Sequence, residues 1–167
     1  MTQRPPPVGQ HRQRLGLPAW LIVALGLLAA PRAVLHDLDV VTEGSPINLL
    51  LVFGPLVVWV IVAVRLAGNP FLALLATGGV YGLSLAVVHN ILWSHTWAGD
   101  PPRLGGNLVG RLPAGLEELL MRGATALSSI FTGLAVGTVC GVAAWAITHV
   151  IHRRRGTDKN AASGASP

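Results

Sequence analysis

Residues 124–151 read ATALSSIFTGLAVGTVCGVAAWAITHVI, and no side chain from Ala124 to Thr148 is charged. A helix rises 1.5 Å per residue, so about 20 apolar residues cross the ~30 Å hydrocarbon core of a bilayer. This stretch is long enough. Its apolar run is continuous and does not alternate as a barrel strand would. Only helices and closed barrels satisfy every backbone group in lipid, so the segment reads as a transmembrane helix.

Three further stretches meet the same test. The four spans are expected at about 17–35, 47–66, 71–93 and 124–151. Pro18 to Pro31, Ile47 to Val64 and Phe71 to Val88 carry no charge. The boundaries hold start signals. Ser45-Pro46 and Asn69-Pro70 each place a capping side chain just before a proline at the first helical position. The few residues between the second and third spans make those helices an antiparallel hairpin. Gly54-Pro55 lies inside the second span and should bend it without splitting it. The first span has a basic start and an apolar centre. Pro31 interrupts the small-residue stretch Ala29 to Ala33, so a cleaved signal peptide is not expected.

Composition agrees. Of 167 residues, 51% are hydrophobic and 11% charged, against about a quarter charged in a soluble domain. Mean hydropathy is +0.58. These values exclude an ordinary cytosolic globule and a disordered chain. Cys140 stands alone, which excludes an internal disulfide framework. The basic excess lies at span ends, where a membrane protein places it, so nucleic acid is not an expected partner. The expected fold is an all-α integral membrane up-down bundle of four helices within residues 15–152. Residues 1–14 and 153–167 read as disordered tails.

Charge distribution sets an orientation. With both termini cytoplasmic, the inner side holds Arg4, Arg12, Arg14, Arg65, Arg153, Arg154, Arg155 and Lys159 against Asp158. The outer side holds Arg32, Arg103, Arg111 and Arg122 against six acids. The net charges are +7 inside and −2 outside, as the positive-inside rule prefers. High Ala, Gly and Arg suggest a bacterial source and hence a cytoplasmic (inner) membrane. Trp20, Trp93, Trp97 and Trp145 fall where interfacial anchors belong. Arg153, Arg154 and Arg155 read as a topology anchor that could also meet anionic lipid head groups.

The loop from Ser94 to Gly123 ends in Pro113–Arg122, where Leu112, Leu116, Leu119 and Leu120 recur at helical spacing. That pattern fits an amphipathic helix on the outer surface, or a connector leading into the fourth span. Small residues form the strongest packing signal. Ser129, Gly133, Gly137 and Gly141 repeat every four residues, and the third span holds a matching stripe of Gly78, Gly82, Ala86 and Asn90. Such stripes let two backbones approach closely in lipid. They serve either a contact within the chain or an association with a second chain.

The candidate chemistry is sparse. His36, His89 and His95 fall at the outer end near Asp37 and Asp39. Imidazole and carboxylate suit a zinc or copper ion, and His36 with His89 could be axial haem ligands from two helices. His89 and His95 are six apart and share no helix face. Hydrogen bonding between helices is the competing role. Gly82-Leu83-Ser84-Leu85-Ala86 resembles the Gly-x-Ser-x-Ala stretch of rhomboid intramembrane proteases over five residues. That resemblance implies a serine nucleophile with a histidine base on another helix. Here His89 lies off the face of Ser84, which reads instead as a packing residue bonded to its own helix. The leading functional expectation is a non-catalytic membrane subunit or scaffold that associates through its glycine stripes with another membrane protein, or with a second copy of itself. A metal- or haem-binding redox module is the second, and an oligomeric channel or transporter the third.

Overall fold

The computed structural model describes residues 16–163, with side chains through Arg154. The basic tail 1–14 and the Arg155 side chain lie outside the described residues. The elements are α1 (Ala19–Leu28), α2 (Ala30–Asp37), α3 (Pro46–Leu66), α4 (Pro70–Ile91), α5 (Trp93–Thr96) and α6 (Ala114–Ser163), with one 3₁₀ turn at Gly106–Leu108. Among the described residues, four segments are long and apolar enough to cross a membrane: Ala19–Asp37, Pro46–Leu66, Pro70–Ile91 and Ala114–Arg154. The chain is a multi-pass helical membrane protein, and its spans pack against one another.

Local chemistry explains most boundaries. Ser45 caps α3 through Oγ, which accepts from the Asn48 amide at 3.2 Å, and Pro46 follows at the first helical position. Asn69 caps α4 by accepting from the Leu72 amide at 3.1 Å ahead of Pro70. Three residues, 67–69, turn α3 into α4.

The two prolines within spans act differently. α3 runs through Pro55 without interruption. The first span is instead divided at Ala29, two residues before Pro31. Pro31 has no amide hydrogen to offer the Leu27 carbonyl, and its ring crowds that carbonyl. The division sets α2 as a separate short helix that ends in Asp37.

α4 is the centre of the bundle. It buries Ala73, Leu74, Thr77, Gly78, Tyr81, Gly82, Leu85 and Ala86 and touches α1, α2, α3 and α6. Its most extensive contact is with α6. Along that seam a Cβ on Gly137 would stand 2.6 Å from the Leu74 carbonyl oxygen and 2.9 Å from the Gly78 Cα. A Cβ on Gly82 would meet the Ser129 and Ile130 carbonyl oxygens at 2.9 Å. Gly133 lies against Gly78 and Gly82, and Gly141 against Phe71. Both small-residue stripes therefore face each other inside one chain. A second close crossing places Gly26 of α1 against Val80 and the Thr77 carbonyl.

Trp59 ties three helices together. It is fully buried, its indole Nε1–H donates to the Leu25 carbonyl of α1 at 2.7 Å, and its ring meets Tyr81 of α4 edge-on at 5.8 Å. A buried indole needs such a partner for its N–H. Of the four tryptophans expected at interfaces, Trp20, Trp97 and Trp145 are exposed, whereas Trp93 is buried beneath the Arg122 guanidinium, 5.0 Å from its ring centre. The opposite faces of α3 and α6 expose Leu50, Phe53, Val57, Phe131 and Val139, as lipid-facing surfaces do.

The leucine-patterned stretch 114–122 is the start of α6, continuous with the span, which is the connector arrangement. The α6 backbone also stays helical through Ser163, beyond the boundary expected at residue 153. Arginine, lysine and alanine are strong helix formers. The apolar run thus ends near Ile151, but the helix does not.

Candidate functional site

α2 and α4 finish at the same end of the bundle, and α6 begins there. That end gathers the polar side chains. Arg32 and His36 lie one turn apart on α2, and Asp37 is its last residue. The Arg32 Nε–H donates to Asn48 Oδ1 of α3 at 3.2 Å. His36 donates through Nε2 to Glu43 Oε1 at 2.9 Å. That bond, with the charge of His36 behind it, holds the Glu43 carboxyl below its ordinary value.

Asp37 is 5% exposed, so its carboxylate has left water. The His36 Nδ1 stands 3.8 Å from Oδ1, and the His89 Nε2 stands 3.6 Å from Oδ2. Among the described residues Oδ2 has no hydrogen-bond partner. His89 comes from the last turn of α4, and its Nδ1 lies 3.1 Å from Ser129 Oγ on α6. The Ser129 hydroxyl in turn donates to the Thr125 carbonyl at 2.8 Å. His95, on α5, donates through Nδ1 to the Asp37 backbone carbonyl at 3.1 Å. Arg122 closes the end by bonding the Asn90 carbonyl and Glu118, each at 2.9 Å through a different nitrogen.

These groups surround an open cleft of about 620 Å³. Arg32, His36, Asp37, Tyr81 and His89 line its α2 and α4 sides, while Thr125, Ser128, Ser129 and Thr132 supply a wall of hydroxyls on α6. One side can carry charge and the other only donates or accepts hydrogen bonds.

His36, His89 and His95 are thus drawn around a single residue, Asp37. His36 and His89 each turn one nitrogen toward the Asp37 carboxylate, at 3.8 and 3.6 Å, and the other to Glu43 and Ser129, while His95 bonds the Asp37 backbone carbonyl. Among the described residues no set of three or more His, Cys, Asp or Glu side chains has the arrangement of a metal site. Geometry therefore gives the metal reading no support. Ser84 donates to the Tyr81 carbonyl of its own helix at 2.7 Å, and His89 turns to Ser129 instead. No serine–histidine pair of the rhomboid kind forms at Ser84. At the far end His149 stacks on Trp145 with ring centres 5.6 Å apart, and His152 bonds the Thr148 carbonyl at 2.8 Å.

Sequence reading placed Asp37 and Asp39 together beside the outer histidines and did not distinguish the buried Asp37 from the exposed Asp39. It also missed Trp59, whose position in the middle of a span was the available signal. A mid-span indole must find an acceptor or leave its N–H unsatisfied in lipid. Comparison with known protein families, with characterised proteins and with solved structures finds no match.

Proposed function

We propose that this chain is a non-catalytic subunit or scaffold of a bacterial cytoplasmic membrane, with both termini cytoplasmic. In this reading Arg153, Arg154 and Arg155 anchor the cytoplasmic end of α6 among anionic head groups. The observation that carries the reading is the α4–α6 frame. Its glycine stripes are occupied by each other, so a partner must meet another surface. α6 supplies one, because it is a 50-residue helix. At 1.5 Å per residue it is about 75 Å long, more than twice the hydrocarbon thickness. Its first turns expose Leu116, Leu119 and Leu120, beyond the charge-free part of the span.

The test is photo-crosslinking in native membranes, with a benzophenone amino acid at Leu119 and, separately, at lipid-facing Phe131. A single partner captured in near-stoichiometric yield at Leu119 and not at Phe131 is the expected result. Crosslinks to lipid or to a second copy of this chain alone would remove the hetero-subunit reading.

A further inference from the structure

We propose that Asp37 and His89 form a proton-binding site, and that the proton it takes up clamps α2 onto α4 and α6. One row of polar groups runs from the Thr125 carbonyl through Ser129 and His89 to Asp37. Ser129 has a single hydroxyl hydrogen, and its shorter contact, 2.8 Å to the Thr125 carbonyl, takes it. With the hydroxyl hydrogen there, Ser129 Oγ accepts from His89 at 3.1 Å and Nδ1 carries a hydrogen. A neutral imidazole has only that one. Its Nε2 would present a bare lone pair to Asp37 Oδ2 at 3.6 Å, and Oδ2 is buried with no other hydrogen-bond partner. Two acceptors would face each other, and the buried Asp37 oxygen would lack a donor, which is costly.

One added proton removes the conflict. Water in the cleft supplies it, Nε2 gains an N–H, and the imidazolium then bridges the Asp37 carboxylate and the Ser129 hydroxyl. This joins α2, α4 and α6 through one side chain. When the proton leaves, the two acceptors oppose each other and α2 loses its polar tie to α4. The cleft beside it would widen, so its shape follows the pH of the side it opens to.

From α2, Arg32 and His36 face the pair, with Arg32 held by Asn48 of α3 and His36 by Glu43 of the following turn. Tyr81 of α4 lines the same cleft. His95 of α5 touches only the Asp37 backbone carbonyl. On α6, Thr125 and Ser129 are uncharged, and Arg122 is engaged by Glu118 and the Asn90 carbonyl. Asp39 is exposed to solvent. Among these groups, the pair alone combines a buried carboxylate oxygen lacking a hydrogen-bond donor with a ring nitrogen facing it.

The experiment is nitrogen-detected NMR of the full chain, labelled at histidine and held in lipid nanodiscs, from pH 4.5 to 9. His89→Gln identifies the His89 signals by their loss. The expected result is an imidazolium at the acid end that loses one proton from Nε2 in a single step while Nδ1–H remains. Asp37→Asn should displace that step, since a neutral amide replaces the counter-charge. Thermal stability of the wild type should fall as pH rises through the step, and His89→Gln should not show that fall. A neutral Nε2–H tautomer throughout the range would overturn the proposal, as would a step that Asp37→Asn leaves in place. If Asp37→Asn does not fold, the wild-type tautomer decides by itself.

Discussion

Gly137→Ala is the sharpest probe of the α4–α6 frame. The added Cβ would stand 2.6 Å from the Leu74 carbonyl oxygen, 2.9 Å from the Gly78 Cα and 3.2 Å from the Gly78 nitrogen. All three are backbone atoms, so no side chain can rotate away. Ordinary contact begins near 3.4 Å, which requires the helices to part locally by about 0.8 Å. Overpacking of this kind costs about 1–3 kcal/mol, and alanine returns up to about 1 kcal/mol through its better helix propensity. Gly115→Ala is the matched control, because nothing lies within 4 Å of its Cβ position in the same helix. The assay is thermal unfolding in detergent followed by circular dichroism. By the soluble-protein scale for chains of this size, each kcal/mol is about 2–4 °C. Gly137→Ala should melt several degrees lower than Gly115→Ala, and Gly137→Leu lower still. Equal melting of Gly137→Ala and Gly115→Ala would refute the close seam. A change in oligomer size with no change in melting would mean that the stripe serves a second chain.

Three further outcomes are expected. Trp59→Phe keeps most of the ring volume but loses the 2.7 Å bond to the Leu25 carbonyl, and should cost about 1 kcal/mol in the same melting assay. The Glu43 carboxyl is held low by His36, so the contact's contribution to stability is present above about pH 4.5 and is lost below it. Glu43→Gln should flatten that acid-side slope in a pH series of melting curves. On a Cys140→Ser background, a cysteine placed after residue 155 should resist impermeant thiol reagents in intact cells. One placed at Gly105 should react with them.

The four spans and the caps at Ser45 and Asn69 were legible because they depend on local chemistry. A charge-free run must be a helix in lipid, and a capping oxygen reaches only two or three residues ahead. The division at Pro31 and the unbroken passage through Pro55 were not separable from sequence. Both are prolines within apolar spans, and neighbouring helices decide whether the freed carbonyl is tolerated. The three histidines were visible as ligand-type residues, whereas their arrangement was not. His36 and His89 are more than fifty residues apart, and spacing along one chain says nothing about where ring nitrogens on separate helices will point.

By itself the sequence determined that this protein belongs in a bilayer, which four segments are long and apolar enough to cross it, and which residues are small enough for two helices to touch. Tertiary structure alone decided that the two glycine stripes meet each other, and that Asp37 sits buried against His89 with an oxygen left over. The physical reason is the range of the forces involved. Hydropathy and capping act within a turn or a span. Close packing and hydrogen bonding between helices depend on how those helices cross, which is fixed only when all four are assembled.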